Sequence, residues 1–174
     1  DDVWLTVDAN QMWNYPQALE AGRAFEELNI GWLEEPLNCE DVAGHARLAN
    51  DLDIPVALGE TLGSRFEFNT YLKANSVYVL QPDIIRVGGI TEMLRVATLS
   101  EIAGCPLAPH HMMESTIHVV CGVMPGAPIE HMPWLEQAFI EKTVIQNGRM
   151  RPPEGPGLGL EIADETVSKY RVEF

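Results

Sequence analysis

The sequence is poor in cysteine, and its cysteines follow no recognisable pattern. Only three of the 174 residues are cysteine, and no two of them form a Cys-x-x-Cys pair; they are Cys39, Cys105 and Cys121. An odd, unpatterned number argues against a disulfide framework, so we expect reduced thiols and a cytoplasmic location.

Basic residues are also scarce, since 11 Lys and Arg stand against 26 Asp and Glu, for a formal net charge of -15. A surface of this sign repels phosphate backbones, which excludes general nucleic-acid binding. No apolar run approaches the roughly 20 residues that a membrane-spanning helix needs, so we expect no membrane partner. A Gly-x-Gly-x-x-Gly loop after the first strand is missing as well, which disfavours a doubly wound, dinucleotide-binding sheet.

The sequence contains enough apolar residues for a packed core. It also contains a repeat of strand and helix patterns. Apolar residues make up 46% of the chain. Short runs rich in β-branched residues alternate with helical stretches, and each run ends at a polar residue. These polar residues are Asp8, Glu34, Glu60, Asp83, His110 and Glu130, separated by 26, 26, 23, 27 and 20 positions. Each interval fits one strand, one helix and two loops.

This repeat predicts an α/β fold of parallel strands buried on both faces, with the chemistry on the loops that follow the strands. Six units are too few for an eight-stranded barrel, so residues 1–142 are predicted to form the C-terminal part of a TIM-like barrel without its first strands. Because the chain opens directly in a predicted core strand, Val3–Val7, we expect it to be part of a longer protein. Glycine and proline in residues 143–174 predict an extended tail that packs on the barrel.

Three of the strand-end residues are carboxylates from consecutive strands: Asp8, Glu34 and Glu60. Gathered at one barrel mouth they would repel each other, and a hard divalent cation with oxygen ligands, Mg²⁺, would relieve that repulsion. The alternative is that each carboxylate caps a helix or is solvated in a loop. Strand neighbours point to opposite faces, so either Glu34 or Glu35 faces the interior, and the pattern does not decide which.

His110 is the candidate proton shuttle, and Asp83, one strand earlier, is placed to hydrogen-bond its far ring nitrogen. Glu130 at the last predicted strand, Ala127–Ile129, either hydrogen-bonds a substrate carboxylate or caps the rim of the barrel. Asn10 either binds substrate, buttresses Asp8 or forms a turn.

Five motifs and the tail together resemble the mandelate racemase and muconate lactonizing enzyme branch of the enolase superfamily. The segments that carry the resemblance are Val7–Asn10, Trp32–Pro36, Gly59–Glu60, Gln81–Asp83 with Arg86–Thr91, Ala108–His110 and Pro152–Gly159. The resemblance implies a modified (β/α)7β barrel with a separate α+β capping domain, of which this chain lacks the capping domain and the first strands. It also implies that Asp8, Glu34 and Glu60 bind Mg²⁺, that His110 and Asp83 form an acid/base dyad, and that Glu130 binds the substrate carboxylate.

The activity implied by the resemblance is abstraction of a proton α to a carboxylate, through an enediolate that Mg²⁺ stabilises. The Gln81–Asp83 and Ala108–His110 motifs are most similar to those of acid-sugar dehydratases, which are lyases of sugar-acid catabolism; a racemase or epimerase of a 2-hydroxy acid is the alternative. The family's Lys-x-Lys motif is missing, so a non-catalytic fragment is a third reading. Members of the family are commonly homo-oligomers, which the resemblance implies here as well.

Overall fold

A computed structural model describes residues 3–172 of the chain. Four short strands alternate with four helices in its first part: β1 (Val7–Asp8), α1 (Tyr15–Glu26), β2 (Leu33–Glu34), α2 (Val42–Asp51), β3 (Val56–Leu58), α3 (Arg65–Lys73), β4 (Val79–Leu80) and α4 (Ile90–Ala103). The second part contains α5 (Met113–Val123), a 3-10 helix (Glu136–Ala138), β5 (Ile145–Gln146), β6 (Arg149–Met150) and α6 (Asp164–Tyr170).

The first four strands form a parallel sheet in chain order, β1-β2-β3-β4. Its register pairs Asp8 with Glu34 across the first two strands. A fifth strand position follows β4, where Leu107 and His110 form parallel bridges with Leu80 and Asp83. Consecutive helices from α1 to α5 pack on one another along the outside of this sheet. The predicted α/β fold, a partial barrel of parallel strands, is therefore confirmed.

Strand residues alternate between two apolar layers, as a pleated strand requires. Leu33 packs outward with helix residues such as Ala18 and Leu48. On the other face, Trp32 packs against a small inner cluster made of Ala57, Val79 and Ala108. The outer layer is the larger of the two, because each of the helices α1 to α5 adds side chains to it.

Two of the predicted strands are wrong. Val3–Leu5 does not form a buried strand, and β1 begins only at Val7; the side chains of Val3, Trp4 and Leu5 are 82%, 61% and 59% exposed. Among residues 3–172, β1 pairs with β2 alone, so this segment is covered on one side. Ala127–Ile129 is irregular, because Pro128 has no N–H to donate to a ladder.

The tail contains more regular structure than the extended segment predicted from its glycines and prolines. Strands β5 and β6 form an antiparallel hairpin, turned at Asn147 and Gly148, whose φ angles of 53° and 69° suit a tight hairpin turn. An antiparallel bridge between Phe139 and Ile162 then joins the two ends of the loop that carries this hairpin. No helix within residues 3–172 is long and apolar enough to cross a membrane.

Candidate active site

Alternation along extended backbone places Glu34 on the inner face of the sheet, because it lies two residues after Trp32, which directly precedes β2. The Trp32 indole Nε1 donates a hydrogen bond of 3.1 Å to Glu34 Oε2. Glu34 and Trp32 line a cavity of about 250 Å³ together with Gln81, His110 and Glu130. Residues from β2, the ends of β4 and the fifth strand position, and the 125–131 segment thus meet in one place.

The inner location of Glu34 has an electrostatic consequence. Burial raises the pKa of Glu34, and the negative charges of Asp8 and Glu60 raise it further, against hydrogen bonds from Gln81 and Trp32 that lower it. The pKa of Glu34 therefore lies above its usual value. The three predicted metal ligands are close enough to act on one another's charge.

Asp8 is the most exposed of these three carboxylates and is held by its own loop. The backbone N–H of Asn10 donates to Asp8 Oδ1 at 2.7 Å, and the Asn10 side-chain amide lies 3.5 Å from Asp8 Oδ2. Asn10 itself has a φ of 45°, in the left-handed region that asparagine tolerates. Of the alternatives for Asn10, the structure shows two: the contact with Asp8, and a turn in which Met12 N donates to the Ala9 carbonyl at 3.0 Å.

Glu60 lies next to the imidazole of His110, with 3.1 Å between Glu60 Oε2 and His110 Nε2. Burial raises the pKa of Glu60, and the charges of Asp8 and Glu130 add to this effect, while the charges of His110 and Arg86 oppose it. The net direction is upward. Glu60 is therefore the predicted metal ligand that also contacts His110.

The other ring nitrogen of His110 contacts Asp83, as the sequence predicts. His110 Nδ1 lies 3.1 Å from Asp83 Oδ2. Burial alone would lower the pKa of His110, but the hydrogen bond with Asp83 and the charges of Glu60 and Glu130 outweigh it, so this pKa is raised. The pKa of Asp83 is lowered in turn, because its bonds to His110 and to the backbone N–H groups of Arg86 and Ile85 outweigh burial. The raised pKa of His110 and the lowered pKa of Asp83 share one cause, which is the contact between the imidazole and the carboxylate.

Glu130 reaches the site although no strand delivers it. The backbone N–H of His111 donates to Glu130 Oε2 at 2.8 Å, and the same oxygen lies 3.9 Å from His110 Nε2. The ring of His111 packs on Trp134 with 4.8 Å between centroids, which fixes this part of the rim. Glu130 thus lies within reach of the atoms that His110 presents to the cavity.

The residues present fit a Mg²⁺ ion in chemistry. Within residues 3–172, no three His, Cys, Asp or Glu side chains already converge as a metal-binding group. Each predicted ligand instead contacts a neighbour: Asp8 the Asn10 N–H, Glu34 the Trp32 indole and Glu60 the His110 ring. All three are oxygen donors. Burial raises the pKa values of Glu34 and Glu60, repulsion by neighbouring carboxylates adds to this, and a hard divalent cation would oppose that repulsion.

Two polar residues of this region were not singled out for a role from the sequence. Gln81 is 5% exposed and lines the cavity, and its Oε1 has no hydrogen-bond partner in the part of the chain that the structure describes. Glu35 is 2% exposed and contacts Gln11 and Thr61 instead of the cavity. From the sequence, Gln81 appears only as part of the Gln81–Asp83 motif, and Glu35 as part of Trp32–Pro36 and as the alternative to Glu34 for the inward position.

Comparison with known proteins agrees with this architecture. Residues 1–166 match the family described as enolase C-terminal domain-like. The chain belongs to this family. Because the match spans nearly all 174 residues, the resemblance drawn from the sequence motifs is confirmed at the level of family.

Several relatives of this enolase-type chain are sugar-acid enzymes. It is 39% identical over 165 residues to L-talarate/galactarate dehydratase of Salmonella typhimurium, covering 95% of this chain and 42% of the relative. Arabinonate dehydratase of Saccharolobus solfataricus is 32% identical, with 98% of this chain and 48% of the relative covered. The crystal structure of L-talarate dehydratase from Polaromonas sp. JS666, complexed with Mg and L-glucarate, matches with a TM-score of 0.89 and 44% identity, over 95% of this chain and 46% of that one.

The chain spans less than half the length of each of these relatives. The family match over residues 1–166 includes all the strand-end residues described above.

Proposed function

We propose that this chain supplies the metal-binding and acid/base part of a Mg²⁺-dependent acid-sugar dehydratase. The observation that carries the proposal is the position of His110, whose Nδ1 contacts Asp83 and whose Nε2 contacts Glu60, each at 3.1 Å. A histidine held in this way lies beside carboxylates of neighbouring strands. If those carboxylates hold a cation and the cation holds the substrate, the histidine can transfer a proton to or from that substrate. The dehydratases among the relatives support the choice of reaction.

In this proposal Asp8, Glu34 and Glu60 hold Mg²⁺, which when bound stabilises negative charge on the substrate carboxylate. Asp83 accepts the Nδ1 proton of His110, so the tautomer is set and Nε2 is the atom that exchanges a proton with substrate. For dehydration, a second base facing His110 would take the proton α to the carboxylate, and protonated His110 would give its Nε2 proton to the β-hydroxyl, which leaves as water. Glu130 and Asn10 lie near enough to His110 and Asp8 to bind the substrate.

Two other functions stay open in this proposal. A racemase or epimerase of a 2-hydroxy acid would use the same ligands and return a proton to the same carbon. The sequence contains only three lysines, Lys73, Lys142 and Lys169, so no Lys-x-Lys base is present in it. If no base comes from elsewhere, these 174 residues bind metal without turnover.

The remaining expectations belong to the same proposal. We infer a cytoplasmic homo-oligomer that acts on a small carboxylate substrate, with residues 1–142 as the barrel portion and 143–174 as a tail packed on it.

The experiment is to incubate the protein, in its full natural length, with galactarate, L-talarate and arabinonate, and Mg²⁺ in D₂O. We expect a 2-keto-3-deoxy acid as product, and we expect EDTA, His110→Asn and Glu60→Gln each to abolish its formation while the thermal melt is preserved. Arg95→Gln, on the exposed face of α4, is the control and should leave turnover unchanged. Substrate that returns with α-deuterium and no keto acid would favour the racemase. Wild-type turnover in His110→Asn or Glu60→Gln would contradict the proposal.

A further inference from the structure

One buried carboxyl joins the loops that follow the first three strands. Glu35 is 2% exposed, and its two oxygens accept hydrogen bonds from different loops. Gln11 Nε2 donates to Glu35 Oε2 at 2.9 Å, and Thr61 Oγ1 donates to Glu35 Oε1 at 3.2 Å. Gln11 Nε2 also lies 3.0 Å from Thr61 Oγ1, so the three side chains form a closed triangle.

Each corner of this triangle is covalently close to one of the three carboxylates assigned to Mg²⁺. Glu35 directly follows Glu34, Thr61 directly follows Glu60, and Gln11 lies three residues after Asp8. Among residues 3–172, the side chains that line the cavity do not include Glu35, Gln11 or Thr61, so the triangle is separate from it.

The backbone supports the same connection. Gln11 N donates to the carbonyl of Glu35 at 2.7 Å, and Glu35 N donates to the carbonyl of Ala57 at 2.9 Å. Gln11 and Glu35 also have φ angles of 62° and 37°, in the left-handed region that non-glycine residues adopt only when their surroundings hold them there. Side-chain and backbone bonds together therefore determine where these loops leave the sheet.

We propose that Glu35 is a positioning residue, which sets the spacing of Asp8, Glu34 and Glu60 through its bonds to Gln11 and Thr61. The inference rests on the proposed Mg²⁺ site. Partners that orient metal ligands affect affinity by about 10–100-fold when they are removed, and the triangle acts at the backbone next to two ligands at once. Glu35 does not touch the metal or the substrate in this proposal.

The test is to measure the affinity for Mn²⁺ directly, by electron paramagnetic resonance, in the full-length protein. We expect Thr61→Val, which keeps the shape and removes the hydroxyl, and Glu35→Gln, which offers one acceptor in place of two, to weaken Mn²⁺ binding by about 10–100-fold. Thr61→Ser keeps the donor and should bind within about twofold of wild type. If Glu35→Gln does not fold, the Thr61 pair decides alone.

A matched control distinguishes positioning from general destabilisation. Glu92 accepts two hydrogen bonds from the Arg65 guanidinium, at 2.8 and 2.7 Å, on α3 and α4 away from the cavity. Glu92→Gln should lower the melting temperature and leave Mn²⁺ affinity unchanged. The positioning role is contradicted if Thr61→Val and Glu35→Gln bind Mn²⁺ as tightly as wild type while Glu34→Gln does not bind it. That result would still support the proposed metal site. Wild type that does not bind Mn²⁺, or Glu34→Gln that binds it fully, overturns both.

Discussion

His110 and Asp83 are joined twice, once through their backbones and once through their side chains. Their main chains form a parallel bridge at the fifth strand position, and His110 Nδ1 lies 3.1 Å from Asp83 Oδ2. The other oxygen, Oδ1, accepts from the backbone N–H groups of Ile85 and Arg86 at 2.7 and 3.0 Å. Asp83 Oδ1 therefore accepts hydrogen bonds from the loop backbone, and Asp83 Oδ2 contacts the histidine ring.

This division makes Asp83→Asn an informative substitution. The new amide oxygen can still accept from Ile85 and Arg86, whereas the amide nitrogen presents a donor to His110 and disfavours the Nδ1–H tautomer. We expect kcat to fall by about 10²–10⁴-fold, the range typical of lost general acid–base catalysis, with little change in melting temperature. Asp83→Ala also removes the loop bonds, and it should lower both quantities. Equal turnover in wild type and Asp83→Asn would refute the role of the dyad.

A second prediction concerns the acid stability of the fold, through His45. This side chain is fully buried; its Nδ1 bonds to the Asp41 carbonyl at 2.9 Å, and its Nε2 has no partner among residues 3–172. Burial lowers the pKa of His45, against a smaller opposing effect of Asp41. The folded state therefore keeps His45 neutral where the unfolded chain, with a pKa of about 6.5, already binds a proton.

The sign follows from this depressed pKa. The contribution of neutral His45 to the free energy of unfolding is fully present above about pH 6.5. It is lost as the pH falls toward the folded-state pKa, at up to about 1.4 kcal/mol per pH unit. Urea unfolding at a series of pH values measures it. His45→Phe should flatten the acid limb, whereas His131→Gln, which alters an exposed histidine, should preserve it. If His45→Phe loses stability at acid pH as steeply as wild type does, groups other than His45 cause that loss.

A third prediction compares two helical glycines. A Cβ on Gly22 would lie 2.4 Å from Cδ1 of Leu52, a buried side chain between α1 and α2. A Cβ on Gly122 in α5 would meet no atom of residues 3–172 within 4 Å outside its chain neighbours and the backbone of its own helix. Gly122→Ala should therefore gain helix propensity and stabilise the protein by about 1 kcal/mol, whereas Gly22→Ala should destabilise it by about 1–3 kcal/mol. Thermal unfolding measures both, and a stabilised Gly22→Ala would show that Leu52 moves freely.

The sequence was sufficient to predict the parallel sheet and the residues at its edge, because strand periodicity and the length of one repeat are local properties. The strand pattern did not decide between Glu34 and Glu35, since the inward face depends on which side of the strand the helices cover; the family resemblance alone implied Glu34. Trp32 resolves this in the structure, because it packs on the inner cluster and shares its face with Glu34.

Long-range contacts of side chains were not predictable in the same way. The contact of Glu130 with the His111 N–H joins an irregular segment to a strand end, and a strand at Ala127–Ile129 was wrongly predicted to carry it. The contacts of Glu35 with Gln11 and Thr61 span 24 and 26 residues, and no local pattern encodes them. The catalytic and metal-binding roles of the strand-end residues stay predictions.

The bridge between Phe139 and Ile162 has a consequence for how the tail tolerates change. The chain leaves and returns at one point, where Ile140 N bonds the Glu161 carbonyl at 2.8 Å and Ala163 N bonds the Ala138 carbonyl at 3.0 Å. The excursion between these anchors has an exposed tip at Asn147 and Gly148, while Leu158 nearer its end also contacts His118 of α5. Insertions or deletions at the tip are therefore expected to be tolerated, since neither anchor nor this contact has to move.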